Sequence, residues 1–318
     1  MNKTKKWIIA GAALVCAGLV TCTAAMAVLG FDFKKLSTVK LAENTYEVSG
    51  TFSNISINCD TEDISFARSE DGSCKVLCYE EENDRHQVSV ENDTLNISRK
   101  NRHKLHFFSI FADSPKITVY LPQETYADLT VSGDTGYVAV TDAFSFANIN
   151  ISLDTGDINC MAGVSGTLKI QTDTGDISLS GISPAELTLI SDAGDMELRD
   201  LQVGGTLSIR EDTGDVTMQN VTCRNLTAEG SAGDLSMTDV TAEEAFDLKR
   251  DTGDISFSGC DAASITVRTD TGDVSGTLRS DKVFLVKSDT GDIDVPKTVE
   301  GGRCEITTDT GDIQIRVQ

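Results

Sequence analysis

The sequence predicts an all-β protein: a single-stranded parallel β-solenoid of about ten rungs, with an irregular β cap ahead of it and one N-terminal membrane-spanning helix. Three observations predict this. Variants of Asp-Thr-Gly-Asp followed by Ile, Val, Met or Leu recur every 19 or 20 residues, with turn glycines at Gly136, Gly156, Gly175, Gly194, Gly214, Gly233, Gly253, Gly272, Gly291 and Gly311. A repeat of that length marks a solenoid. Between the turns apolar residues alternate with polar ones, the period of a strand with one buried face. At the amino terminus, Lys3, Lys5 and Lys6 precede an uncharged run of 25 residues, Trp7 to Phe31, long enough to cross a hydrocarbon core of about 30 Å.

Basic residues favour the cytoplasmic side of a membrane. Residues 1–6 therefore read as a short cytoplasmic tail, 7–31 as a single-pass transmembrane helix and 32–44 as a juxtamembrane linker. Residues 45–115 read as the β cap and 116–318 as the solenoid, both extracytoplasmic at the cell membrane. The other reading of 7–31 is a secretory signal cleaved after Ala27, because Ala25-Met26-Ala27 has the small-x-small pattern. Both readings export the remainder.

One rung shows how the sequence specifies the solenoid. Leu168-Lys-Ile170-Gln-Thr172-Asp-Thr174 alternates, and after Gly175-Asp176 the pattern resumes with shifted parity as Ile177-Ser-Leu179. The chain turns at the glycine, which reaches backbone angles closed to residues with a Cβ. The parity places Thr174 and its equivalents, including Ala193 and Ala232, inward and both flanking aspartates outward. Two short strands cannot bury their own apolar face, so ten rungs must stack, about 4.8 Å apart, with the right-handed crossover usual for parallel strands. The last rung, Ile313-Gln-Ile315-Arg-Val317, would then leave an open edge.

The cap is less regular. Strand-like runs fall near Ile55–Cys59, Ile64–Ala67, Lys75–Tyr79, Gln87–Val90 and Leu95–Ser98. Asp60-Thr61-Glu62-Asp63 reads as a rung that has lost its glycine, and Glu91-Asn92-Asp93 as a hairpin turn. The stretch from Arg99 through Arg102, His103 and Lys104 to Phe111 is basic and then aromatic. It reads either as a membrane-surface or partner contact or as a loop leading into a buried strand.

The chain has 318 residues, 50 acidic and 27 basic side chains. All the acids lie beyond Phe31, so the exported part repels nucleic acid and favours cations or basic partners. Seven of nine cysteines lie outside the helix, an odd number scattered over separate repeats, which fits no disulfide framework. Cys160 stands where other rungs have Leu179, Leu198 or Met218, and Cys304 where Leu168 stands, so both read as core.

The run Lys116-Ile-Thr-Val-Tyr-Leu-Pro122, then Tyr126-Ala-Asp-Leu129, then the repeats, resembles a bacterial family of unknown function made of β-strand repeats, described as candidate adhesins and including LiaG-like members. Tyr137 and Ser231 depart from the repeat. The resemblance covers nearly the whole chain. It implies a membrane-anchored protein of the cell envelope acting in adhesion or in envelope stress.

No catalytic, cofactor-binding or metal-binding residue is assigned from the sequence. Asp-Thr-Gly is also the tripeptide of aspartic proteases, but those need two copies sharing one proton and this chain has eight. A carbohydrate-active β-helix enzyme acting on a wall or surface polysaccharide is the alternative function. Its acids normally sit beside Arg, Lys or His, whereas His86, His103 and His106 all precede the rod. Nine aspartates precede the turn glycines and nine follow them; like charges 4.8 Å apart repel by roughly 0.9 kcal/mol even in water. Bridging Ca²⁺ would relieve this, as would solvation, salt and the turn amides, and the second account is preferred. The sequence thus points to a non-catalytic scaffold or adhesion module whose partners are the membrane, through its helix, and an envelope protein or wall polymer, with no nucleic acid.

Overall fold

The protein is described by a computed structural model of residues 3–28, 30–31, 41–82, 84–99 and 115–318. The linker residues 32–40 and the basic-aromatic stretch 100–114 lie outside the described residues. Helix α1 (Lys3–Val28) is about 39 Å long at 1.5 Å per residue, and Gly11–Val28 is long and apolar enough to cross a membrane. Its two threonines in that span bond back to the helix: Thr21 Oγ1 donates to Ala17 O at 3.0 Å and Thr23 Oγ1 to Leu19 O at 2.9 Å. An apolar solvent would require this.

The rest is β-structure. The strand Thr167–Thr174 pairs in parallel with Ser145–Thr155 on one side and Glu186–Ala193 on the other, Leu168 standing between Ile149 and Leu187. Beyond the corner, Ile177–Ser180 pairs with Ile158–Cys160 and Met196–Gln202. Every inward position thereby stacks on its equivalent in the next rung, and one continuous core runs through the rod. Cys160 lies opposite Leu179, Cys304 opposite Ile265, and both are fully buried.

Each rung has three sides where the sequence suggests two. After the second side the chain turns again at Gly181, Asp200, Asn220, Asp239 and Gly259, all at φ between +53° and +70°, a left-handed conformation that Gly, Asn and Asp tolerate best. A third side follows, with Val221 against Val240 and Cys223 against Ala242. In a middle rung Leu207 and Ile209, Val216 and Met218, then Val221 and Cys223 point inward from the three sides. Thr174 corrects the predicted parity. The last buried residue of its strand is Thr172; the ladder skips Asp173, and Thr174, still paired with Thr155 and Ala193, is exposed at the strand's end beside the corner. Both flanking aspartates are exposed as expected.

The ends are interleaved. The cap contains β1 (Leu41–Val48), β2 (Asn54–Asn58), β3 (Asp63–Arg68), β4 (Cys74–Glu81), β5 (His86–Glu91), β6 (Thr94–Arg99) and β7 (Lys116–Leu121). Strands β8 (Thr125–Thr135) and β9 (Val138–Val140) open the first Asp-Thr-Gly rung. That rung stacks on β2 and β3, which in turn carry β6 and β7. Asn58 lies opposite Ser132, so Asp60-Thr61-Glu62-Asp63 occupies the corner equivalent to Asp134-Thr135-Gly136-Tyr137. β4 and β1 continue one side antiparallel, while β5 closes the other as a hairpin with β6 through Asn92 and Asp93, both at positive φ.

At the far end the rung order reverses. Gly302–Val317 lies between the rung ending at Leu278 and the rung Lys282–Asp294: Cys304 pairs with Ile265 on one side and Phe284 on the other. The strand Ile313–Val317 is therefore paired on both sides, and the open edge belongs to Lys282–Thr290 and Ile293–Asp294. Ile293 is 45% exposed there, and Val295, in the Leu179 column, is only partly buried because no further rung covers it.

One interior column carries charge. Glu211, Gly230 and Arg250 are register neighbours in successive rungs, and Arg250 Nη1 donates to Glu211 Oε2 across the glycine, both side chains fully buried. A Cβ on Gly230 would sit 1.7 Å from Arg250 Nη1, so the missing side chain is the channel for the pair. Arg250→Met should cost about 3–5 kcal/mol by stranding a buried carboxylate, and adding Glu211→Leu should recover most of it, as read from urea unfolding of the single and double variants. The turn glycines are tested the same way. A Cβ on Gly214, at φ +145°, would lie 2.1 Å from Gly194 O, whereas Gly72, at φ +74°, has open space. Gly214→Ala should cost more than about 3 kcal/mol and Gly72→Ala only about 1 kcal/mol.

Candidate functional site

Three features carry the chemistry of the described residues: an acidic edge along the rod, a groove near the reversed rungs, and a buried charged cluster in the cap.

The acidic edge is formed by the Asp-Thr-Gly-Asp corners. The backbone N–H of each aspartate after the glycine donates to Oδ1 of the equivalent aspartate in the adjacent rung. The series runs through Asp157, Asp176, Asp195, Asp215, Asp234, Asp254, Asp273 and Asp312 to Asp292, at 2.7–2.9 Å. A hydrogen bond to a charged acceptor contributes about 1.5–3 kcal/mol, more than the roughly 0.9 kcal/mol of repulsion between neighbouring charges. The row is thus a net stabiliser. It is interrupted once, at Tyr137, whose N–H donates to Asp63 Oδ1 at 3.1 Å but which offers no carboxylate onward. The aspartates before the glycine are exposed, and two have lysine neighbours: Lys249 Nζ lies 3.5 Å from Asp251 and Lys287 Nζ 2.6 Å from Asp289.

A groove of about 1040 Å³ runs beside the third corner, where the chain crosses from residue 278 to 282 and returns through residues 300–302. Its three cations are all engaged. Lys282 Nζ, nearly fully buried, donates to Asp261 Oδ1 and Ser280 Oγ at 2.5 Å each; Arg279 meets Asp239 at 2.8 Å, and Arg224 lies 3.7 Å from Glu243. Partial burial pushes the Asp261 carboxyl upward, but its bonds from Lys282 and Ser280 prevail and hold it below the ordinary carboxylate range. A glycosidase acid needs the opposite shift.

The cap cluster sits where β4 and β5 meet the glycine-less rung. His86 Nδ1 lies 2.5 Å from Glu80 Oε2, which also accepts the His86 backbone N–H at 2.7 Å. The other Glu80 oxygen accepts from Tyr46 Oη at 2.5 Å and Asn44 Nδ2 at 2.9 Å. On the far side of the ring, His86 Nε2 is 3.3 Å and Arg99 Nε 3.1 Å from Glu62 Oε1. None of those three atoms has an aligned hydrogen bond, so these are charge contacts. Burial alone would lower the His86 pKa; the closeness of Cys78 and of the Glu62 carboxylate outweighs this and raises it to about 10. Burial likewise opposes ionisation of Glu62, but His86 and Arg99 bring its carboxyl down to about 2.

Residues 52–209 and 204–318 both match the model of the Toastrack family, DUF4097, and together span most of the chain. The chain belongs to the Toastrack family. Among solved structures it is similar to a candidate adhesin from Bacteroides fragilis, with 17% identity over 88% of this chain and 99% of that one, at a TM-score of 0.41. It is also similar to a candidate lipid-binding protein from Parabacteroides distasonis, with 14% identity, 86% and 97% coverage and a TM-score of 0.45. A candidate adhesin from the same organism gives 12% identity, 87% and 98% coverage and a TM-score of 0.44. No curated protein matches the sequence.

In this Toastrack chain the aspartates singled out in the sequence do share one edge, and those after the turn glycines accept from backbone amides of the adjacent rung. The cap cluster was not singled out. Its signals were Glu62 in a glycine position and the inward alternation Cys78-Tyr79-Glu80, but the partners converge from β1, β4, β5 and β6, and spacing does not reveal that. Of the basic-aromatic stretch only Arg99 is described, and it belongs to this cluster.

The amide bonds on the acidic edge make a direct prediction. Asp195→Ala should cost about 1.5 kcal/mol, whereas Asp195→Asn, which keeps the acceptor oxygen, should cost well under 1 kcal/mol. With that oxygen already engaged, millimolar Ca²⁺ should leave the melting temperature unchanged. A rise of several degrees would show that the edge binds the ion.

Proposed function

We propose that this Toastrack protein is a non-catalytic cell-envelope module, held in the membrane by α1 with the rod on the extracytoplasmic side, and acting in adhesion, scaffolding or an envelope-stress interaction. The observation that carries the reading is the engagement of its charged groups. Eight adjacent-rung pairs of turn aspartates hold backbone amides, and the groove pairs each cation with a carboxylate. Such groups present shape and charge to a partner rather than wait to transfer a proton. Lys3, Lys5 and Lys6 directly before the apolar helix support the orientation.

The turn aspartates give the rod one long acidic edge and the exported part a net negative charge, so its partner is expected to be cationic or to present a cationic patch. The test is a pull-down from membrane and cell-wall fractions with the purified protein, run with Ca²⁺ and with chelator and repeated at high salt. Retention of one envelope protein or wall polymer, weakened by salt, is the expected result. Turnover of a wall polysaccharide by the purified protein would overturn the reading in favour of an enzyme.

A further inference from the structure

The cap cluster has more polar chemistry than a structural ion pair uses. Cys78, Glu80 and His86 each offer a ligand atom, and these lie within 4.8 Å of one another with all three side chains buried. We propose that Cys78, Glu80 and His86 form a binding site for a zinc-class divalent ion in the cap. A thiolate, an imidazole and a carboxylate make the donor set of Zn²⁺ rather than of Ca²⁺ or Mg²⁺, which prefer oxygen alone.

The surroundings are those of a supported metal ligand set. Glu80 uses one oxygen toward His86 and has the other fixed by Tyr46 and Asn44 from β1. With His86 Nδ1 on the ion, Nε2 faces Glu62, which is backed by Arg99. A carboxylate behind the second ring nitrogen is the usual way a metal-bound histidine is oriented. His86 Nε2 and Glu62 Oε1 are completely buried without an aligned hydrogen bond, a cost that a small rotation of the ring on binding would remove.

The charge balance also fits. Glu62, Glu80, His86 and Arg99 sum to zero when the imidazole carries its proton and the thiol is neutral. Entry of Zn²⁺ displaces one proton from the Cys78 thiol and one from His86, both to solvent, and the sum is again zero. Binding therefore adds no net charge to a buried site, which would otherwise be costly. Ligand bonds of about 2.0–2.3 Å require the 2.5 Å contact between His86 Nδ1 and Glu80 Oε2 to open by somewhat under 1 Å, a rotamer adjustment. The ion would tie β4 to β5 directly and, through Asn44, Tyr46, Glu62 and Arg99, join both to β1 and the first rung.

The test uses the full-length protein in detergent. Metal content is measured as purified, then after chelation and reloading with Zn²⁺ or Co²⁺, with melting followed in each state. The expected result is one equivalent of zinc-class metal, a melting temperature that falls on chelation and recovers with Zn²⁺, and a thiolate-to-cobalt charge-transfer band in the Co²⁺ form. Cys78→Ser should lose the band and the stoichiometric ion although eight other cysteines remain. The proposal is overturned if Co²⁺ gives no such band, if Cys78→Ser keeps it, or if the protein melts identically with chelator and with Zn²⁺. Should Cys78→Ser fail to fold, the wild-type cobalt spectrum and the chelation shift decide alone. Metal held by the aspartate edge would lack the thiolate band and so counts against the site.

Discussion

From Gly156 onward the carbonyl oxygen of one turn glycine occupies the space where the glycine of the adjacent rung would carry a side chain, at 1.8–2.2 Å from the ideal Cβ position along the rod. That contact sets how closely rungs can stack, and much else depends on it. Close stacking brings the following aspartate's carboxylate onto the neighbouring N–H, aligns the inward columns Leu168, Leu187 and Leu207, and lets Arg250 reach Glu211 across a single intervening rung. The glycine column and the aspartate row are one device seen from two sides: the first permits the approach, and the second supplies polar partners for the backbone it brings together.

Much of this is legible in the chain because a solenoid repeats its local problem. Gly175 means what Gly194 and Gly214 mean, and ten instances of one corner reveal it without knowledge of any distant contact. Cys160 could be placed in the core by the same alignment. The third side was missed because its corner is written three ways, as Gly181, Asp200 and Asn220, residue types that share a backbone preference rather than a letter. Thr174 falls outside the core because strict alternation ends at Thr172, where the ladder skips Asp173 and the strand's last two residues are both exposed. The reversed rungs and the cap cluster were illegible for a different reason. Each depends on which strand comes to lie beside which, and Cys304 would suit the column beside Ile265 or the one beside Phe284 equally well.

Charge is distributed according to solvent. On the rod's surface carboxylates stand in water and need only one amide each. Inside, Glu211 and Arg250 are fully buried against each other, and Arg250 Nε and Nη2 and Glu211 Oε1 have no hydrogen-bond partner in the protein. A pair so placed fits only where the intervening rung carries glycine, and it therefore penalises any slip of one rung against another. The cap solves its own version of the problem with two carboxylates, an imidazole and a guanidinium drawn from the corner before β3 and from β4, β5 and β6, where the repeat has ended and ordinary packing must take over.

The interleaving at both ends changes how such a rod can come into being. A simple solenoid can add each rung as its residues leave the ribosome. Here the first Asp-Thr-Gly rung must reach back past β4 and β5 to find β2 and β3, and the place beside the strand ending at Thr271 stays unfilled until residues 302–317 have been made. Assembly is thus delayed at both ends by pairings distant in sequence, which cost loop closure before they return any contact. Once made, the same pairings work like a clasp: residues 302–317 lie inside the outermost rung Lys282–Asp294 rather than on the open edge, so they cannot fray before that rung has come away.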